Sequence, residues 1–268
     1  MKTRIRPKLL LLDLDGTVYR GAVPVPGAAE AVQAARAAGI RVLFVTNRAN
    51  RTVGVVVRHL RSLGIPCRKG DVLTTAIASA AYCASHGGGR CHLVGERSLR
   101  EAFAARGLTS VADGPADWVV VSLDRRFTYA KLVRAVELVR AGAKFVATNS
   151  DRLITIGDAL MPEAGALVAA VRESSGVEPT MIGKPSPTLL LEALRLAKCA
   201  PEDALAIGDN LDTDIAAAEA AAIPSCLILT GVSTRADIGK SPHRPGFVCR
   251  DWREFMQAMG LMSRPTAP

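Results

Sequence analysis

Aromatic side chains are few: two Trp, three Tyr and six Phe make up 4% of the 268 residues. The core must therefore rest on Ala, Val, Leu and Ile, as in other aliphatic-rich globular chains. Cysteine pairs are missing too. The six cysteines (Cys67, Cys83, Cys91, Cys199, Cys226, Cys249) are scattered, with no Cys-x-x-Cys and no His at zinc spacing. That argues against a zinc-ribbon or dithiol redox site and suits a reduced, cytoplasmic chain. No apolar run approaches the roughly 18 residues that suggest a membrane-spanning helix. The basic start followed by Leu9–Leu12 imitates a signal peptide, but Asp13 and Asp15 end the run, so no export by that route is expected. Fixed-period repeats and low-complexity tracts are absent, and only the tail Arg264–Pro268 reads as frayed.

What is present is ordinary globular usage, 49% hydrophobic and 22% charged, which excludes a disordered chain. The net charge of +9 predicts an anionic partner: nucleic acid, a membrane surface or a phosphorylated small molecule. Residues 1–80 carry 13 Lys and Arg against 4 Asp and Glu, whereas 81–181 carry 12 against 11 and 182–268 carry 9 against 10. The whole excess therefore lies in the first third. Part is a tail (Lys2, Arg4, Arg6, Lys8) and part a predicted helix over 51–63, on which Arg51, Arg58 and Arg61 share a face. The segment Arg48 to Lys69 holds no aromatic residue, so a solvated outer face is favoured over a nucleic-acid site.

Short apolar runs alternate with Ala-rich helical stretches. Strands are predicted at 9–13, 41–45, 92–94, 118–122, 144–147, 180–182, 204–207 and 225–229. Helices are predicted at 27–38, 51–63, 74–84, 99–105, 129–140, 188–197 and 211–221. This alternation predicts an α/β fold with parallel sheets covered by helices. In such sheets chemistry gathers beyond the carboxyl ends of the strands. Four of those ends carry Asp13-x-Asp15-Gly16-Thr17, Thr46-Asn47, Gly183-Lys184-Pro185 and Gly208-Asp209.

Two carboxylates two residues apart leave an extended backbone on the same side, and Gly16 permits a sharp turn after them. Their repulsion needs a cation, and Mg²⁺ is suited to carboxylates, water and a substrate phosphate. Asp209 would be a third anchor. One aspartate could then attack phosphorus while Asp15 serves as acid and base, with Lys184 and Thr46 holding phosphoryl oxygens. Each motif alone has a plainer reading as turn or helix-cap chemistry. His86-Gly87-Gly88-Gly89 imitates an oxyanion loop, but no Gly-x-Ser-x-Gly elbow accompanies it, so it reads as a loop. His59, His92 and His243 are isolated, and Trp118 and Trp252 sit beside apolar runs as core residues.

The segments Asp13-Leu-Asp15-Gly16-Thr17-Val-Tyr19-Arg20-Gly21, Phe44-Val-Thr46-Asn47, Gly183-Lys184-Pro185-Ser-Pro187 and Gly208-Asp209-Asn-Leu-Asp-Thr-Asp214 resemble the four motifs of the haloacid dehalogenase superfamily, in order. The long insert between the second and third resembles subfamily IIA, the NagD-like and p-nitrophenyl phosphatase-like phosphatases. Within it, Val119–Tyr129, Ala147–Asp151 and Gly165–Ala170 are similar to cap segments of that subfamily.

The resemblance implies a Rossmann-like core of 1–80 and 182–268, with an inserted α/β (C2-type) cap of 81–181 that selects the substrate. It implies Asp13 as nucleophile and Asp15 as acid/base. Mg²⁺ would be held by Asp13, the Asp15 backbone carbonyl and Asp209, with Asp214 supporting its water shell, and phosphate by Thr46, Asn47 and Lys184. The expected activity is Mg²⁺-dependent hydrolysis of a small phosphorylated metabolite (a sugar phosphate, nucleotide, phosphoglycolate or glycerol phosphate) through an aspartyl-phosphate. Homo-oligomers through the cap are expected, and neither membrane nor nucleic-acid partners are. Alternatives from other classes are a phosphoryl-accepting regulatory module and a basic nucleic-acid-binding protein without turnover. The chain departs from its relatives at Arg48-Ala49-Asn50, where another Asn and a Ser or Thr often follow the second motif. It departs again at Asn149-Ser150-Asp151 and Pro162-Glu163-Ala164-Gly165, where Asn-Pro-Asp and Pro-Gly-x-Gly are usual.

Overall fold

The computed structural model describes residues 7–156 and 159–262; Lys2, Arg4, Arg6 and the tail Arg264–Pro268 lie outside the described residues. Strand β1 (Leu9–Leu12) leads through a hairpin of β2 (Tyr19–Arg20) and β3 (Val23–Pro24) to α1 (Ala28–Ala37) and β4 (Arg41–Thr46). Then follow α2 (Val53–Ser62), β5 (Val72–Thr74), α3 (Thr75–Ser85), β6 (Arg90–Val94), α4 (Arg97–Ala104), β7 (Thr109–Ser110) and β8 (Trp118–Val121). Helix α5 (Tyr129–Arg140), β9 (Lys144–Ala147), a hairpin of β10 (Leu153–Ile156) and β11 (Ala159–Pro162), α6 (Ala164–Ser175) and β12 (Thr180–Met181) come next. The last third holds α7 (Thr188–Ala197), β13 (Ala204–Gly208), a π-helical turn (Leu211–Ile215) running into α8 (Ala216–Ala220), β14 (Ser225–Ile228), β15 (Phe247–Cys249) and α9 (Trp252–Met259).

Two compact units result. Unit 1 comprises Met1–Thr46, Gly54–Leu73 and Lys184–Pro268, and unit 2 comprises Asn47–Val53 and Thr74–Gly183. The chain thus passes between units inside two of the motifs, after Thr46 and before Lys184.

Unit 1 is built on a six-stranded sheet in the order β15-β14-β13-β1-β4-β5. Strand β1 pairs parallel with both β13 and β4, and all four of its leucines are buried. An uninterrupted apolar strand is what a parallel sheet covered on both faces requires. Trp252, fully buried at the start of α9, donates through Nε1 to the Thr17 carbonyl at 2.9 Å and packs edge-on against Phe255. Asp251 caps α9 by accepting from the Glu254 N–H at 2.8 Å.

Unit 2 has a five-stranded sheet, β12-β9-β8-β6-β7, with parallel pairings throughout. Its core gathers Val94, Val119, Val121, Leu138, Phe145 and Val171. Trp118 is buried, donates to the Gly88 carbonyl at 2.8 Å and lies under the Lys144 ammonium. Gly87, Gly88 and Gly89 all adopt positive φ, so the His86–Gly89 segment traces a path that side chains would strain.

Two local expectations change. The helix predicted from Arg51 begins at Val53, so Arg51 precedes the helix face carrying Arg58 and Arg61. The short strand before Gly183 pairs with β9, so one of the four strand ends belongs to the sheet of unit 2. All six cysteines are free thiols. Among the described residues no helix is long and apolar enough to cross a membrane.

Candidate active site

The register of unit 1 brings distant acids together. Leu12 stands opposite Ile207, and the Asp13 N–H donates to the Ile207 carbonyl at 2.9 Å, one residue past the end of β1. The chain then turns sharply: the N–H groups of Val18 and Tyr19 both bond the Leu14 carbonyl, and Gly16 takes a φ of 86°. Asp209 leaves the end of the neighbouring strand β13. Asp214 comes from the π-helical turn, where its carboxylate accepts from the Asn210 N–H at 3.2 Å. Carboxylate oxygens of Asp13, Asp209 and Asp214 all lie within 4.8 Å of one another.

Glycines permit this closeness. A Cβ at Gly16 or Gly231 would overlap the Asp209 carboxylate, and one at Gly208 would overlap that of Asp214. Asp209 is fixed at both oxygens, by the Thr17 hydroxyl at 2.9 Å and the Val232 N–H at 2.7 Å. Its backbone carbonyl accepts from the Ser233 N–H, while the Ser233 hydroxyl accepts from the Leu211 N–H. Thr230 donates to the Gly16 carbonyl at 2.8 Å, tying the end of β14 to the turn after β1.

Lys184 is buried between two of the acids, with Nζ at 2.5 Å from Asp13 Oδ1 and 2.5 Å from Asp214 Oδ1. Burial opposes its charge, but Asp13 and Asp214 outweigh that and hold the ammonium protonated well above the usual lysine range. Burial pushes Asp13 well up, helped by Asp214 and Asp209 and opposed by Lys184. Burial likewise raises Asp209 to about 6, with Asp214 adding to the effect.

Three carboxylates against one ammonium leave an excess of negative charge in a buried place. The donor set is all oxygen, closely spaced, and held by groups outside the cluster. It fits a hard divalent cation such as Mg²⁺. The Asp15 side chain is not part of this trio.

Unit 2 holds the remaining expected residue. Thr46, buried at the end of β4, is the last residue of unit 1, and Asn47 is the first of unit 2. The Asn47 amide donates to Asp151 Oδ2 at 3.2 Å, and its carbonyl accepts from Thr75 Oγ1 at 2.7 Å and Asn149 Nδ2 at 2.9 Å. Gly183 packs so closely on the Thr148 carbonyl, Asn47 and Asn149 that a Cβ would not fit. Glu163, buried beside this group at the start of α6, is raised to about 7; burial is the main cause, and Asp151 adds to it while Asn149 and Arg48 oppose it.

The strand-end reading therefore brings Asp13, Asp209 and Lys184 together in unit 1 and leaves Asn47 among Asn149 and Asp151 in unit 2. It missed Thr17, Thr230, Gly231 and Ser233. Thr230-Gly231 also follows a strand, β14, so the same rule applied to a fifth strand end would have found it. Glu163 carried only one signal, its departure from Pro-Gly-x-Gly.

Two family descriptions match the chain: haloacid dehalogenase-like hydrolase over residues 10–109 and HAD-hydrolase-like over 181–255. The D-glycerol 3-phosphate phosphatase of Mycobacterium tuberculosis is 38% identical over 97% of this chain and 74% of its own length. An acid sugar phosphatase of Staphylococcus saprophyticus is 35% identical over 94% of this chain and 98% of its own. Among solved structures, the M. tuberculosis glycerol phosphate phosphatase in complex with magnesium superposes with a TM-score of 0.88 at 36% identity, covering 97% of this chain and 80% of that one. NagD from E. coli superposes with a TM-score of 0.88 at 31% identity, covering 93% of this chain and 98% of that one.

Proposed function

The chain belongs to the haloacid dehalogenase-like hydrolases, in their NagD-like branch, and is a phosphoric monoester hydrolase; from that premise we propose that it dephosphorylates a small phosphorylated metabolite through an aspartyl-phosphate on Asp13. The observation that carries the reading is the buried cluster of Asp13, Asp209 and Asp214 around the Lys184 ammonium. Relatives named for sugar phosphates and glycerol phosphate support the substrate class.

An Asp13 carboxylate oxygen attacks phosphorus and forms a P–O bond as the bond to the leaving alkoxide breaks, and Asp15 gives that alkoxide its proton. Asp15 then removes a proton from water. The water oxygen attacks phosphorus, the bond to Asp13 breaks, and inorganic phosphate leaves with the carboxylate regenerated. Lys184, Thr46 and Asn47 hold the phosphoryl oxygens as charge moves among them. Mg²⁺, held by Asp13, the Asp15 carbonyl and Asp209 with Asp214 beside them, would supply the positive charge that lets an anionic nucleophile approach an anionic substrate. All of these residues except Asn47 belong to unit 1, and unit 2 would select the leaving group.

The purified protein should hydrolyse p-nitrophenyl phosphate with Mg²⁺, and Asp13→Asn should lower kcat by about a thousandfold or more. Wild-type turnover that survives both EDTA and that substitution sinks the mechanism.

A further inference from the structure

The turn after β14 grips Asp209 with backbone alone. Gly231 and Val232 are both exposed, Val232 by 70%, so no packed side chain fixes this stretch. Yet the Val232 N–H stands 2.7 Å from Asp209 Oδ2, and Gly231 lies where a Cβ would overlap the same carboxylate. The far end of the turn is anchored by buried Ser233, whose N–H donates to the Asp209 carbonyl. The near end is Thr230. Its hydroxyl donates to the Gly16 carbonyl at 2.8 Å, and its own carbonyl accepts from Arg20 Nε at 2.8 Å and from Nη2 of the same guanidinium.

Arg20 reaches across 210 residues of sequence for that one oxygen. Its place is set from α2. The rings of His59 and Tyr19 meet edge-on with centroids 4.7 Å apart, and His59 Nε2 lies 2.8 Å from the Gly21 carbonyl, which can only accept, so Nε2 donates. The residues on either side of Arg20 are therefore both tied to His59, and the guanidinium extends from a held hairpin to the turn. Two donors in a rigid fork fix the direction of a carbonyl as one flexible donor does not. The Thr230 carbonyl belongs to the peptide group just before the one that carries the Val232 N–H. Between them stands a glycine, whose backbone has the most freedom to lose, so orientation has to come from outside the turn.

We propose that Arg20 is a positioning residue for the metal centre: by holding the Thr230 carbonyl it keeps the Val232 N–H on Asp209, and so keeps that carboxylate in the orientation that binds Mg²⁺. The inference rests on the assignment of Asp209 to the metal. It extends that assignment outward to a residue that acts only through backbone groups, all of them in unit 1.

Titrating Mg²⁺ into the metal-free full-length protein, followed by calorimetry, reads the proposal without turnover. Arg20→Met should weaken Mg²⁺ binding by about fivefold, less than the roughly ten- to hundredfold typical when a group bonded directly to a metal ligand is lost. Arg20→Lys keeps the charge but not the fork, and should fall between at about twofold. At saturating Mg²⁺, kcat and KM of Arg20→Met for p-nitrophenyl phosphate should stay within about twofold of wild type, because the defect lies in metal binding. Should Arg20→Met fail to fold in a thermal melt, Arg20→Gln, too short to reach Thr230, takes its place with the same expected loss. Asp209→Asn is the reference and should lower Mg²⁺ affinity by more than about tenfold. Wild-type affinity in Asp209→Asn overturns the assignment on which the proposal rests. Loss of affinity there, with wild-type affinity in Arg20→Met, overturns the role of Arg20 alone. A raised KM at saturating Mg²⁺ with unchanged Mg²⁺ affinity overturns it too, and makes the guanidinium a substrate contact.

Discussion

In unit 1, Asp13 and Asp214 share one ammonium at 2.5 Å each and both oxygens of Asp209 accept hydrogen bonds, whereas in unit 2 the buried Glu163 keeps one oxygen without a partner. Both places bury more negative charge than water-free surroundings tolerate, and they resolve it differently. Unit 1 uses cations: Lys184 within the chain, and an oxygen-lined place for a divalent one. Unit 2 uses a proton: burial lifts Glu163 to about 7, Asp151 adds to the rise, and Asn149 and Arg48 only partly oppose it. Burial raises Asp13 and Asp209 in unit 1 as well, and there the Lys184 ammonium opposes the rise.

The sharpest way to break this comparison is to remove the cation. Lys184→Met leaves Asp13 and Asp214 facing each other without their shared ammonium, and stripping one partner from a buried charge cluster costs about 3–5 kcal/mol. The expected outcome is a lower Tm together with a loss of turnover of about a hundredfold or more, since the same ammonium is assigned to the phosphoryl oxygens. Added Mg²⁺ should raise the Tm of Lys184→Met by more than that of wild type, because the variant has the larger charge deficit. An equal Mg²⁺ response in both proteins breaks the idea that the two cations share one task.

The cation-balanced site was the legible one. Asp13, Asp209 and Lys184 stand in short motifs at the carboxyl ends of strands, where the β1–β13 register and the turn at Gly16 leave little choice of direction. Thr17 was in plain view within the first motif, yet its bond to Asp209 spans 192 residues of sequence, and no periodicity reports a contact at that range. The same holds for α6 and α9. Each lies beside strand or turn signals, and their burial depends on tertiary partners: Val168 and Val171 in the unit 2 core, Trp252 in the unit 1 core. The hairpin of β10 and β11 has largely exposed side chains on β11, so it lacked the apolar alternation that marks a strand. Strand β12 was found, but two residues cannot say which sheet they join. Only its pairing with β9 does.

Replacing the proton by a permanent neutral group sharpens the other half of the comparison. Glu163 rises from its ordinary 4.5 to about 7 in the folded chain, so folding favours its protonated form. The stability this supplies is complete below pH 4.5 and is lost as pH rises through about 7. Glu163→Gln has no proton to lose. Measured by thermal melts, its stability relative to wild type should be constant below that window and climb across it, reaching up to about 3 kcal/mol above pH 8. A stability difference that does not change between pH 4 and pH 9 refutes the proton-balanced description of unit 2.

The smallest expected effect concerns the charge excess of the first 80 residues. Arg51 sits in the segment Asn47–Val53, before α2 and four residues after Asn47, while Arg58 is exposed on the helix itself. If this excess draws anionic substrate toward Asn47, the effect belongs to encounter and not to bound contacts, so it must fade as salt screens it. Arg51→Glu should lower kcat/KM for p-nitrophenyl phosphate by about two- to threefold at low ionic strength and by nothing measurable near 0.5 M salt, with kcat unchanged throughout. Arg51 is the better probe than Arg48, because Arg48 opposes the upward shift of Glu163 and its reversal would disturb the proton-balanced cluster as well. A salt-independent loss would move Arg51 from steering to contact. No loss at any salt concentration would leave the basic first third as solvated surface, with no part in catalysis.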